Sequence, residues 1–131
     1  MSCRSWQLLI ILSENSSMFD FEKLEIYQRA KAFYMEISLF LSRNELDRIT
    51  KDQLKRASLG ITLNIAEGAS RFSKPDRKNF LVSARGSLFE CVAILDILRD
   101  KSDITGTEYQ KYYTRGVELS RMIFAIIRQL Q

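Results

Sequence analysis

Apolar residues recur at three- and four-residue intervals along four stretches of the chain, with short polar segments between them. In the first stretch, about residues 21–42, Ile26, Ala30, Phe33, Ile37 and Phe40 are spaced 4-3-4-3, with Tyr27, Tyr34 and Leu41 beside them. That spacing puts them on one face of an amphipathic helix. A second helix is expected to open at Thr50, where Thr50-Lys51-Asp52-Gln53 reads as a capping box. It carries Leu54, Ala57, Ile61 and Ile65, and Gly68 then supplies a left-handed stop. The third is announced by Ser73-Lys74-Pro75-Asp76, since proline suits a first helical turn. Leu81, Ala84, Leu88, Cys91, Leu95 and Leu98 follow at 3-4-3-4-3, a heptad-like seam. The fourth is expected from Thr107, with a capping box Thr107-Glu108-Tyr109-Gln110 and a stripe of Tyr109, Tyr113, Gly116, Ser120, Ile123, Ile127 and Leu130. Four such helices with short connections predict an all-α fold, an antiparallel up-down-up-down four-helix bundle, over residues 18–131.

Length and composition narrow this picture. A chain of 131 residues supplies one core and no second domain, and 5 Gly with 1 Pro suits helices better than a turn-rich β fold. Histidine is absent. That excludes Ser-His-Asp and Cys-His catalysis and histidine-bearing zinc or iron sites. It also excludes helical ribonucleases that need an Arg-x4–6-His motif and di-iron bundles that need Glu-x-x-His. No enzymatic activity, no metal and no cofactor are expected. Cys3 and Cys91 have no metal-binding spacing, and Cys91 falls on an apolar stripe, where it reads as a small buried hydrophobe. The run Trp6-Gln7-Leu8-Leu9-Ile10-Ile11-Leu12 is far shorter than the roughly 18 apolar residues of a membrane span. Residues 1–17 are expected to be an N-terminal extension outside the domain, with Met18 as the working start. A reducing cytoplasm is the expected compartment, without membrane attachment.

A second row runs along the second helix. Arg56, Gly60, Asn64, Glu67 and Arg71 are spaced 4-4-3-4 and share a face, and Asn79, Ser83, Gly86 and Glu90 form a matching row on the third. Antiparallel pairing of the two helices would oppose Arg56 to Glu90, Gly60 to Gly86, Asn64 to Ser83 and Glu67 to Asn79. The expectation is a polar structural seam in which facing glycines permit close approach and the polar pairs fix register; a ligand-holding face is the alternative. Charge is also localised. Between residues 55 and 85 there are seven basic residues (Lys55, Arg56, Arg71, Lys74, Arg77, Lys78 and Arg85) against Glu67 and Asp76, a local +5 in a chain of net +4. Arg71, Lys74, Arg77 and Lys78 cluster with Phe72 at the expected turn. Such a cluster suits phosphate contact, with an aromatic available for stacking. No helix-turn-helix, zinc finger, RRM or GxxG clamp is visible, so base-specific reading has no support.

The run Gln53-Leu54-Lys55-Arg56-Ala57-Ser58-Leu59-Gly60-Ile61-Thr62-Leu63-Asn64-Ile65-Ala66-Glu67-Gly68, followed by Phe80-Leu81-Val82-Ser83-Ala84-Arg85-Gly86-Ser87-Leu88-Phe89-Glu90, resembles the bacterial four-helix-bundle family of 23S rRNA-intervening-sequence proteins. The resemblance covers about residues 19–130. It implies a small up-down bundle assembled as a homopentameric ring, and it extends more distantly to the accessory variability determinant proteins of diversity-generating retroelements, basic pentamers that bind a reverse transcriptase and nucleic acid. It implies no enzymatic activity.

Two functions follow as expectations. The first is a non-enzymatic oligomeric scaffold that binds RNA or DNA, largely independently of sequence, through Arg71, Lys74, Arg77 and Lys78, with Lys55 and Arg85 as further contacts. The second is a protein-interaction module, for example an accessory subunit of a polymerase or reverse transcriptase, docking through exposed Phe89, Met122 and Phe124. Self-association is expected in either case. Phe80, Val82, Phe89, Val92 and Ile94 lie outside the seam of the third helix, and Met122, Phe124 and Ile126 lie outside the stripe of the fourth. One core cannot bury two faces of a helix without a neighbour.

Overall fold

The computed structural model describes residues 19–131. The expected extension of residues 1–17, with Cys3 and the Trp6 to Leu12 run, and the expected start at Met18 lie outside the described residues. Among the described residues a 3-10 turn, Asp20–Lys23, precedes four helices: α1 (Glu25–Arg43), α2 (Arg48–Ala69), α3 (Lys74–Asp100) and α4 (Gly106–Gln129). They form a four-helix bundle. Among the described residues, α1 and α3 each pack on α2 and α4, and the backbones of the diagonal pairs stay apart. Contacts across two of the neighbouring pairs run in opposite senses. Arg29, Glu36 and Arg43 of α1 pair with Glu118, Lys111 and Glu108 of α4 respectively. Gly60 and Gly68 of α2 meet Ser87 and Phe80 of α3.

The core stripes of α1, α2 and α3 are those the spacing predicts. Phe33, Ile37 and Phe40 of α1, Leu54 and Ile61 of α2, and Leu88, Cys91, Leu95 and Leu98 of α3 are all buried. Each such side chain removed from water contributes about 1.5–3 kcal/mol, and these stripes carry the fold. The fourth stripe is corrected. Tyr112 and Leu119 face the core, while Tyr113 is exposed and Ser120 half-buried. Tyr112 meets Phe40 edge to ring at 5.8 Å, so the large apolar partner on α1 selects the inward residue.

Several helix limits also differ from expectation. α1 begins at Glu25 rather than near 21, because Leu24 is extended (φ −72°, ψ 130°) and the 3-10 turn folds back. Phe21 packs on the Tyr27 ring at 4.8 Å, and Gln28 Nε2 donates to the Glu22 carbonyl at 2.7 Å. α2 is capped by Asp47, not Thr50. The Asp47 carboxylate accepts from Thr50 Oγ1 at 2.7 Å and from the Thr50 amide at 2.8 Å, and these two hydrogen bonds hold its pKa below the usual value. α4 is capped by Thr105, whose Oγ1 accepts from the Glu108 amide at 3.1 Å, so the cap lies two residues before Thr107.

Gly68 is not a left-handed stop. It is helical and buried, and no glycine among the described residues has a positive φ. A Cβ there would lie 3.0 Å from the Phe80 Cβ, so this glycine serves the close approach of α2 and α3. The one described residue with positive φ is Ser102 (φ 61°), in the turn after α3. There the Asp103 amide donates to the Leu98 carbonyl at 2.8 Å and the Ser102 amide to the Arg99 carbonyl at 3.0 Å, a Schellman closure.

Candidate functional site

The α2–α3 connection, residues 70–73, is short and thoroughly tied. Ser70 Oγ and the Ser70 amide both donate to the Glu67 carbonyl, at 2.6 and 3.1 Å, and the Arg71 amide donates to the Gly68 carbonyl at 3.1 Å. Arg77 Nε reaches back to the Arg71 carbonyl at 2.7 Å, and Ser73 Oγ caps α3 by accepting from the Asp76 amide at 3.2 Å. Pro75 sits in the first turn of α3, as the sequence predicts, where its missing N–H costs nothing.

Of the four cations expected at this turn, the structure brings all four together but uses them differently. Arg71 is engaged internally: its Nη2 pairs with Glu67 Oε2 at 2.7 Å, and its guanidinium lies over the Phe80 ring at 4.5 Å. It therefore braces the turn. Lys74 and Arg77 are exposed and Lys78 is half-buried, all within the first turns of α3. Among the described residues, none of these three forms an ion pair. Phe72 lies between Arg71 and Lys74 and is 99% exposed. With Glu67 and Asp76 counted against the four cations, the turn keeps a net charge of +2.

Lys55 and Arg85 do not belong to this cluster. Fourteen residues separate Lys55 from the end of α2 at Ala69, roughly 21 Å at 1.5 Å per residue. Arg85 is mid-helix on α3 and stacks over Phe89 at 4.4 Å.

Most of the expected polar seam is exposed, and its expected side-chain pairs do not form among the described residues. Arg56, Glu67, Asn79, Ser83, Gly86 and Glu90 are exposed, while Gly60 and Asn64 are half-buried. Among the described residues Arg56 and Glu90 do not pair; Glu90 accepts from Gln53 Nε2 at 3.2 Å. Asn64 Nδ2 donates to its own helix at the Gly60 carbonyl, 2.9 Å away, rather than to Ser83, and Glu67 takes Arg71 rather than Asn79. A Cβ on Gly60 would meet Ser87 Oγ at 3.0 Å, whereas one on Gly86 would meet nothing within 4 Å. The register is thus shifted by one residue from the facing-glycine arrangement, and exposed polar groups need no partner because water satisfies them.

Two grooves carry residues that sequence reasoning did not assemble. One, of about 420 Å³, opens at the end of the bundle that carries the basic turn and is lined by Phe21, Leu24, Ile65, Leu81, Ile126 and Leu130 among others. The other, of about 410 Å³, runs between α3 and α4 over Gly116, with Phe89, Val92 and Tyr113 along it. Each draws on more than one helix, so no local pattern could show it. The apolar residues expected to lie outside the core divide. Val82, Phe89 and Phe124 are about half exposed, as expected for a free face. Val92, Ile94, Met122 and Ile126 instead pack partly against the core, and Phe80 is half-buried under Arg71.

Cys91 is fully buried and desolvation pushes its thiol up to about 12, which makes it inert packing. Among the described residues no three Cys, Asp or Glu side chains gather as a metal site, and no helix is long and apolar enough to cross a membrane.

The class these features define is a small all-helical bundle with one basic, aromatic-bearing turn. The profile of the 23S rRNA-intervening sequence protein family matches residues 22–125, and the chain belongs to that family. The bundle is similar to the crystal structure of a protein of unknown function from the S23 ribosomal protein family of Bacteroides thetaiotaomicron. The TM-score is 0.74 at 23% identity, covering 78% of this chain and 97% of that one, a likeness of fold. No curated relative matches the chain.

Proposed function

We propose that the protein is a non-enzymatic, oligomeric scaffold that holds nucleic acid through the α2–α3 turn, in the cytoplasm. The observation that carries this reading is the set of cations without ion-pair partners, Lys74, Arg77 and Lys78, that follow an exposed Phe72 within six residues on a braced turn. Arg71 holds that turn in shape, and Lys55 and Arg85 are secondary contacts outside it. The family's description, which names an intervening sequence of 23S rRNA, is in keeping with a nucleic-acid partner. Binding is largely independent of sequence and falls with salt, because release of counterions from phosphates supplies most of its free energy.

Self-association uses the α3–α4 groove and its flanking exposed Phe89, Tyr113 and Phe124, which a monomer leaves in water. A ring of five is the assembly we propose, in keeping with the family resemblance. Titration of labelled structured RNA and duplex DNA at two salt concentrations tests the binding. Absence of binding at low salt, or binding indifferent to reversal of the turn's charges, ends it. Light scattering tests the assembly: a concentration-independent mass near 15.3 kDa rules it out.

The same apolar groove supports a second reading, a module whose partner is another protein such as a reverse transcriptase. Co-purification from host extract with and without nuclease separates the two, since a partner lost on nuclease treatment favours nucleic acid.

A further inference from the structure

Phe72 is the most exposed large apolar side chain described in the molecule, at 99% of its surface, and it occupies a turn with little freedom. The residue before it is fixed at its backbone by Arg77 and at its side chain by Glu67 and Phe80; the residue after it caps α3. The ring is therefore carried into solvent on an ordered backbone, and the cost of ordering that backbone has already been met on folding. On the α3 side stand Lys74, Arg77 and Lys78. Arg77 uses only its Nε on the turn, so its terminal nitrogens remain for an anion.

Cations alone favour duplex over single strand, because duplex DNA carries one charge per about 1.7 Å of axis. A flat apolar ring adds little to that contact, since reaching the face of a stacked base in a duplex requires unstacking a step at a cost of a few kcal/mol. An unpaired base offers its π face, and a neighbouring phosphate can reach the lysines at the same time. Resting on the nucleic-acid reading above, we propose that the ligand of the α2–α3 turn is single-stranded nucleic acid, one unpaired base stacking on Phe72 while its phosphates meet Lys74, Arg77 and Lys78.

The test is anisotropy titration of the full chain with a labelled 12-nucleotide oligopyrimidine strand and with a duplex of the same length, at low and moderate salt. Wild type, Phe72→Ala, Phe72→Tyr and the Lys74→Glu, Lys78→Glu double variant are compared. Because Phe72 buries nothing, its substitution leaves the fold intact, checked by unchanged thermal unfolding. The expected result is tighter binding of the single strand than of the duplex, and a loss of about 5- to 100-fold for the single strand in Phe72→Ala. Phe72→Tyr retains binding, duplex affinity is unmoved by Phe72→Ala, and the charge-reversed variant weakens both. Single-strand binding that is indifferent to Phe72→Ala, or a preference for the duplex, overturns the inference and leaves the broader reading standing. Failure of both probes to bind at low salt overturns the reading and the inference together. Vesicles containing phosphatidylserine form a further arm: capture by vesicles that depends on Phe72, with no such dependence for the strand, overturns the inference in favour of a lipid surface.

Discussion

The turns at the two ends of α3 are similar in length and opposite in what they do with their largest apolar residue. At residues 101–105, Ile104 is folded inward and only 7% exposed, Lys101 pairs with Asp103 at 3.5 Å, and a Schellman closure seals the helix end. At residues 70–73, Phe72 is 99% exposed and the nearby Lys74, Arg77 and Lys78 are left without carboxylate partners. Both turns are well hydrogen-bonded, so the contrast is not one of order against looseness. It teaches that the internal hydrogen bonds of the α2–α3 turn hold its backbone in shape, while Phe72 stays in solvent and Lys74, Arg77 and Lys78 form no ion pair among the described residues.

The largest expected effect sharpens that contrast through stability. Ile104→Ala removes buried apolar volume and is expected to cost about 2–4 kcal/mol, whereas Phe72→Ala moves stability by less than about 0.5 kcal/mol. Urea denaturation of the two variants measures this directly, and equal losses would erase the distinction between the turns. Charge reversal probes the same comparison through binding. Lys74→Glu with Lys78→Glu is expected to weaken nucleic-acid binding on the order of 30-fold at low salt, while Lys101→Glu at the other turn leaves it within about twofold. Anisotropy at matched salt reads both.

Smaller effects test how the open turn is held. Gly68→Ala would press a Cβ to 3.0 Å from the Phe80 Cβ, a position that cannot swing away, and is expected to cost about 1–3 kcal/mol. Gly86→Ala, with nothing within 4 Å, is expected to stabilise by about 0.5–1 kcal/mol through helix propensity. Opposite signs in chemical denaturation are the check. Smallest is Ser102→Gly at the closed turn. It relieves a left-handed conformation that costs a residue with a Cβ, at some entropic cost in the unfolded chain, and is expected to raise stability by about 0.5 kcal/mol in the same assay.

The spacing of apolar residues on α1, α2 and α3 was enough to name the buried stripes, because a 3.6-residue period leaves only one face that can be covered. Lys74, Arg77 and Lys78 were legible as a cluster for a similarly local reason: they lie within five residues of one another beside a proline that fixes where α3 begins. The absence of histidine removed whole classes of chemistry without any structure. Sequence was weaker wherever two candidates for one role stood close together. Asp47 and Thr50 can each cap α2, as Thr105 and Thr107 can each cap α4, and the choice rests on which backbone residue is extended.

Other features could be decided only by packing. Tyr112 rather than Tyr113 turns inward because Phe40 of α1 waits across the core, a fact about a residue more than seventy positions away in the chain. The paired polar rows on α2 and α3 have a consistent antiparallel register in sequence, yet most of their side chains lie at the surface, and Arg71 takes Glu67 and Phe80. Gly68 was placed by its residue type at a helix end, but the distance to Phe80 makes it a contact glycine. Local sequence determined which residues are helical and which face of most helices is dry, since both follow from backbone sterics and periodicity. Tertiary structure decided that Arg71 braces the turn, because its guanidinium lies over the Phe80 ring of the next helix while Arg77 reaches back to the Arg71 carbonyl, contacts that exist only once α2 and α3 are packed.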